Sequence, residues 1–175
     1  MPTTYEPIAT TTLSSAASSV TFSSISGSYT DIILVFSNVK VSSGDSAIDI
    51  QVGNGSVDTG SNYSFTIMGA RSASSTPFTN RLDTTTIMRS NWYTSPTTTE
   101  AAMSQIHFMN YANTTTFKSV LANSRVQPGS ANYSGVETII NLWRSTSAIN
   151  IIKIMPNTST FTSGSTFTLY GIKAA

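Results

Sequence analysis

Apolar and polar residues alternate with a period of two along most of this chain, and no stretch holds a 3.6-residue apolar period. Successive side chains of a strand point to opposite faces, so this alternation predicts half-buried strands. Val20 and Phe22 alternate with Thr21 and Ser23. A long strand over 29–39 is apolar on both faces from Ile32 to Phe36, which predicts a central position. Over 46–52, Ile48, Ile50 and Val52 share one face, with Asp49 and Gln51 on the solvent side. Tyr63, Phe65 and Ile67 share another, and Ile106 and Phe108 stand opposite His107 and Met109. Further strands are expected over 84–89, 116–126, 136–144, 148–155 and 166–172. The 136–144 strand is expected to place Val136, Thr138, Ile140 and Leu142 inwards.

Asn54-Gly55 tolerates positive φ and predicts a tight turn. Segments 70–77 and 90–100 read as loops, and 99–104 as the best candidate for a short helical turn. Composition agrees. The 175 residues include 30 Ser and 28 Thr. Thr favours strands through its branched β-carbon, and Ser favours turns by bonding nearby backbone. Strong helix formers are scarce, with only 4 Lys, 3 Glu and 5 Arg. There is no composition break and no internal repeat, and the length suits one domain. The expected fold is all-β, a single-domain antiparallel β-sandwich of jelly-roll type. Residues 1–12 are expected to form an N-terminal arm and 13–175 the sandwich. Ile33, Val35, Ile48, Ile50, Phe108, Ile140, Leu142, Ile152 and Leu169 are expected in the core.

The chemistry-bearing residues are few. With no Cys, a thiolate metal site, a disulfide scaffold and a cysteine nucleophile are excluded. Nine Lys and Arg against eight Asp and Glu, unclustered, do not make the basic patch that nucleic acid requires. The longest apolar run, Ile32 to Phe36, is far short of a membrane span of roughly 20 residues. The start, Met1 to Pro7, lacks the basic and apolar regions of a secretory signal, so synthesis in the cytoplasm is expected. His107 is the single histidine, and no Gly-x-Ser-x-Gly elbow or phosphate-binding loop accompanies it. Asp45, Asp49 and Asp58, with Asn54 between, offer oxygens to a hard cation, but their spacing matches no metal loop. Turn-capping aspartates and a solvent-facing Asp49 are the expected reading, with no cofactor and no essential metal. Trp92-Tyr93 in a polar loop is the one candidate contact site, for a partner or a sugar, against an ordinary packing role. The five arginines are dispersed, each available to an acid on a neighbouring subunit. No acid–base constellation appears, and no enzymatic activity is expected.

Two stretches carry a resemblance. The first runs Ser18-Ser19-Val20-Thr21-Phe22 and on through Gly27-Ser28-Tyr29-Thr30-Asp31-Ile32-Ile33-Leu34. The second is Phe161-Thr162-Ser163-Gly164-Ser165-Thr166-Phe167-Thr168-Leu169-Tyr170-Gly171-Ile172-Lys173. Together they resemble the opening strands and the closing turn and strand of a small β jelly-roll virion module of tailed bacteriophages, found in capsid decoration (cement) proteins and tail-fibre tips. The resemblance implies a virion location on the capsid surface, the major capsid protein as partner, and a homotrimer. It implies no catalytic residues. The alternative is a receptor- or carbohydrate-binding tail-fibre tip, with Trp92, Tyr93 and polar loops on a host glycan. A fibre commonly has a coiled coil before its tip, and no heptads occur here.

Overall fold

A computed structural model describes residues 4–71, 74–126 and 135–173. They fold into thirteen strands, with no helix among the described residues. The strands are β1 (Tyr5–Thr12), β2 (Val20–Phe22), β3 (Asp31–Val39), β4 (Ile48–Asn54), β5 (Ser56–Val57), β6 (Tyr63–Arg71), β7 (Ser74–Thr85), β8 (Met88–Arg89), β9 (Ala102–Phe108), β10 (Lys118–Val126), β11 (Gly135–Trp143), β12 (Ile151–Pro156) and β13 (Thr166–Ile172). Eight of them form one sheet in the order β1-β13-β3-β9-β10-β11-β6-β7. The second sheet runs β2-β12-β4-β5, with β8 also paired to β4. All these pairings are antiparallel. The chain is an all-β sandwich of jelly-roll type.

The inner faces meet in one apolar core. Leu34, Phe36, Ile67, Ile106, Phe108 and Leu169 come from the large sheet, and Val20, Ile50, Val52, Ile152 and Ile154 from the small one. Phe167 stacks edge-on against Phe36 and Phe161, with ring centroids 5.2 and 5.0 Å apart. Tyr63 ties the sheets together. Its ring is fully buried, and its hydroxyl lies 3.0 Å from the Val52 carbonyl and 2.7 Å from that of Asp58. Burial pushes this phenol well above its ordinary pKa, so it stays a neutral donor. Gly55 takes φ +79° in the turn between β4 and β5, as Asn54-Gly55 predicts.

Several expectations change. Residues 5–12 are not an arm outside the sandwich but its edge strand, running alongside β13 from Tyr5↔Ile172 to Thr12↔Thr166. Residues 1–3 of that arm, and 174–175, lie outside the described residues. Much of the loop expected over 70–77 belongs to the β6–β7 ribbon, residues 72–73 lying outside the described set. The helical turn expected over 99–104 is the entry to β9.

The largest correction concerns β11. Its inward side carries Glu137, Ile139, Asn141 and Trp143, while Val136 and Ile140 are 62% and 59% exposed and Leu142 is only half-buried. Asn141 explains the register. Its side chain accepts from the Arg89 backbone N–H at 2.8 Å and donates to the Arg89 carbonyl at 3.0 Å, standing in for a strand partner of β8. Val35 also turns outwards and is half-buried, whereas Ile33, Ile48, Ile50, Phe108, Ile152 and Leu169 are buried as expected. The inverted face gives a direct check. Ile140→Ser should leave the denaturation midpoint within about 0.5 kcal/mol of wild type. Ile139→Val, one residue away, should cost about 0.5–1.5 kcal/mol. The reverse ranking in urea titrations would restore the original face.

Candidate functional site

The outer face of the large sheet holds a trough of about 390 Å³ across β3, β9, β10 and β11. Register builds it. Val35, Gln105, Asn123, Thr138 and Met68 lie side by side on β3, β9, β10, β11 and β6. Two residues along, Met103, Arg125 and Val136 form the next rung. Neighbouring strands are about 4.8 Å apart, so each rung is a row of side chains at that spacing. The Thr138 hydroxyl donates to Asn123 Oδ1 at 2.8 Å, which leaves the Asn123 amide hydrogens free. Elsewhere on this face His107 Nε2 hydrogen-bonds Asp31 Oδ2 at 2.8 Å, and Arg81 pairs with Asp83 at 2.6 Å. Arg125 has no carboxylate within ion-pair distance among the described residues.

Beneath the trough lies a polar layer, unusual for a sandwich interior. Ser104 and Ser124 turn inwards and hydrogen-bond at 2.8 Å. The Thr94 hydroxyl lies 3.3 Å from Ser124 and 2.6 Å from Glu137 Oε1. Glu137 is almost fully buried. It also accepts the backbone N–H groups of Trp92, Tyr93 and Thr94 at 2.6, 3.1 and 3.2 Å. Three donors of an irregular loop thus find one carboxylate, which solves the problem of burying loop backbone.

That carboxylate also positions Trp92 and Tyr93. Both are half-buried. Trp92 packs on the core with its ring 5.8 Å from Phe65, and the Arg89 guanidinium lies 4.4 Å from its centroid. Tyr93 lies 4.4 Å from the Phe78 ring and 5.0 Å from the Arg71 guanidinium. The pair lies outside the trough, and Tyr93 lines a separate concavity of about 280 Å³ with Gly44, Asp45, Ser95 and Thr97.

The aspartates do not converge, and no cluster of three or more potential ligands occurs among the described residues. Asp45 is exposed and bridges to Thr97 through backbone. Asp58 accepts from Trp143 Nε1, Asn62 and the Gly60 N–H, each at 2.8 Å. Burial opposes its ionisation, but these bonds outweigh it and hold its pKa below the ordinary value. Asp49 is not solvent-facing. It is buried against Arg89 at 3.3 Å and accepts from Asn157 at 3.1 Å. Covering β4 on both sides buries it, since Gln51 is enclosed too. His107 and Asp31 form a pair braced by the Asn110 N–H at 2.7 Å from Asp31 Oδ1.

The sequence matches no described protein family and no curated protein. Among solved structures, one similarity is to CG-16, a homodimeric agglutinin from chicken liver, at TM-score 0.36 and 11% identity over 85% of this chain and 98% of that one. A second is to a variant fructofuranosidase from Schwanniomyces occidentalis complexed with fructosylnystose, at TM-score 0.23 and 9% identity over 99% of this chain and 35% of that one.

Proposed function

We propose that this chain is a non-enzymatic structural protein of a tailed-phage virion, a decoration protein that binds the outside of the shell. In this reading it contacts the major capsid protein and sits there as a homotrimer. The observation that carries it is the packing of the two resemblance-bearing stretches on each other. Tyr170, Gly171 and Ile172 pair with Ile33, Ile32 and Asp31 in adjacent strands. The Tyr29 ring occupies the space beside Gly171, where an added Cβ would lie 2.3 Å from its Cδ1. Lys173 then places its ammonium 5.4 Å from the same ring and 2.9 Å from Glu6. Tyr29, Gly171 and Lys173 are therefore one packing unit, which joins the two stretches that carry the resemblance.

The surface supports a static partner. It is poor in charge, so copies repel one another weakly. Closed symmetry would also cover the open edges at β1 and β7. Trp92 and Tyr93, the contact residues of the tail-fibre-tip alternative, are half-buried and packed on Phe65 and Phe78, and Tyr93 keeps one side on a surface concavity. Purified virions stripped of the protein provide the test. Added back, it should rebind bare capsids with modest salt dependence, since few charges are available to screen. Failure to rebind shells, with labelling of tails instead, would replace this reading with the tail-tip one.

A further inference from the structure

We infer that the trough on the outer face of the large sheet binds a carboxylate-bearing saccharide, with Arg125 taking the carboxylate and Gln105 and Asn123 the ring hydroxyls. The donor set points to this ligand chemistry. A sugar hydroxyl both donates and accepts, and a primary amide answers both. Gln105 has no hydrogen-bond partner among the side-chain bonds of the described residues, and Asn123 keeps both amide hydrogens free once Thr138 occupies its oxygen. Arg125, unpaired beside them, offers a planar fork that matches a carboxylate in two-point contact. Val35 and Val136 supply aliphatic walls for the C–H faces of a ring.

Other ligand classes fit less well. Nucleic acid needs a row of cations, and this face presents one unpaired guanidinium. An extended peptide recognised by strand addition uses a sheet edge, and the trough lies on a face, at interior strands of the sheet. A free metabolite is usually enclosed on most of its surface. An open trough crossing several strands instead suits one unit of a longer chain. Its volume of about 390 Å³ lies within the range of about 300–1,000 Å³ of small-molecule sites.

The site is also preorganised. The hydrogen bonds among Ser104, Ser124, Thr94 and Glu137 lock β9, β10 and β11 together directly below it. Side chains on braced strands lose little freedom when a ligand arrives. The site functions on a shell or at a tail, provided that attachment leaves this face open, so it does not depend on the virion reading.

Titration calorimetry of the intact chain tests it, using a uronic-acid oligosaccharide and a neutral oligosaccharide of equal length. The acidic ligand should bind saturably. Arg125→Ala should weaken it by about tenfold or more, the loss expected for one charge-assisted contact. The neutral ligand should bind wild type no better than the acidic ligand binds that variant. Gln105→Ala should weaken both. These side chains are exposed, and unchanged melting would confirm that the variants fold. Equal affinity for the two ligands, an unaffected Arg125→Ala, or no saturation would overturn the assignment. Loss of shell rebinding by Arg125→Ala would overturn it as well, by showing that the shell covers the trough. Failure of wild type to rebind shells bears only on the virion reading.

Discussion

Glu137→Ala should destabilise the fold by about 4 kcal/mol, at the upper end of what single substitutions do. The almost fully buried carboxylate receives three backbone N–H groups and one hydroxyl from Trp92, Tyr93 and Thr94. Removing it orphans all of them at once, and each buried donor left unmade costs about 1–3 kcal/mol before relaxation. Part of the loss will be recovered by loosening the 90–100 loop, which is why the sum is not expected. Glu137→Gln should fall between. Its amide oxygen still accepts from Trp92 and Thr94, but its NH2 group meets the Tyr93 N–H donor to donor. Urea unfolding measures the cost, and hydrogen exchange at Trp92, Tyr93 and Thr94 locates it. A Glu137→Ala midpoint near wild type would mean that the loop does not depend on this anchor.

Arg89→Met should cost about 3–5 kcal/mol, because it strands the Asp49 carboxylate in the interior. Asp49 Oδ1 and Arg89 Nε have no hydrogen-bond partner, so this pair is joined by charge at 3.3 Å rather than by full hydrogen bonding. Burial raises the Asp49 pKa against the lowering effects of Arg89 and Asn157. Burial likewise lowers that of Arg89, against the pull of Asp49 and Glu137. Both directions say that desolvation outweighs the attraction. The double variant Asp49→Leu/Arg89→Met should therefore recover most of the loss or exceed wild type, as apolar replacement of buried pairs often does. A double-mutant cycle reads this directly. If the double variant is as unstable as the two single changes added together, the pair is not coupled. The sign with pH is also set. A raised folded pKa gives a contribution that is full below the ordinary value near 3.8 and is lost as pH rises through the folded value. Asp49→Asn should remove that slope.

Strands were legible where one face alone is apolar. Tyr63, Phe65 and Ile67 are buried as alternation requires, and β13 spans the residues expected. Alternation failed on β11 because apolar residues occur on both faces. Val136, Ile140 and Leu142 compete there with Ile139 and Trp143. What decides is that Glu137 and Asn141 find partners inside, in segments some 45 and 52 residues away. Asp49 misled for the same reason, since its partner Arg89 lies on a strand of two residues. The trough was invisible because Gln105, Asn123 and Arg125 become neighbours only through register. The one available signal was the alternation of β10, which puts Leu121, Asn123 and Arg125 on a common side.

The pairing of β1 with β13 has a consequence for how the chain is made. Strand β3, whose Ile32, Leu34 and Phe36 are buried, lies between β9 and β13. One of those neighbours is synthesised some 60 residues later and the other some 130 residues later. Translation at about 5–20 residues per second leaves these apolar side chains without their final cover for many seconds. Strand β1 waits longer still, because its pairing in the sheet is with β13. Non-local closure of this kind is slow and exposes unpaired edges meanwhile. During that interval the nascent chain is a natural client for a holding chaperone, and crowded copies on neighbouring ribosomes could exchange first strands before their own last strands emerge.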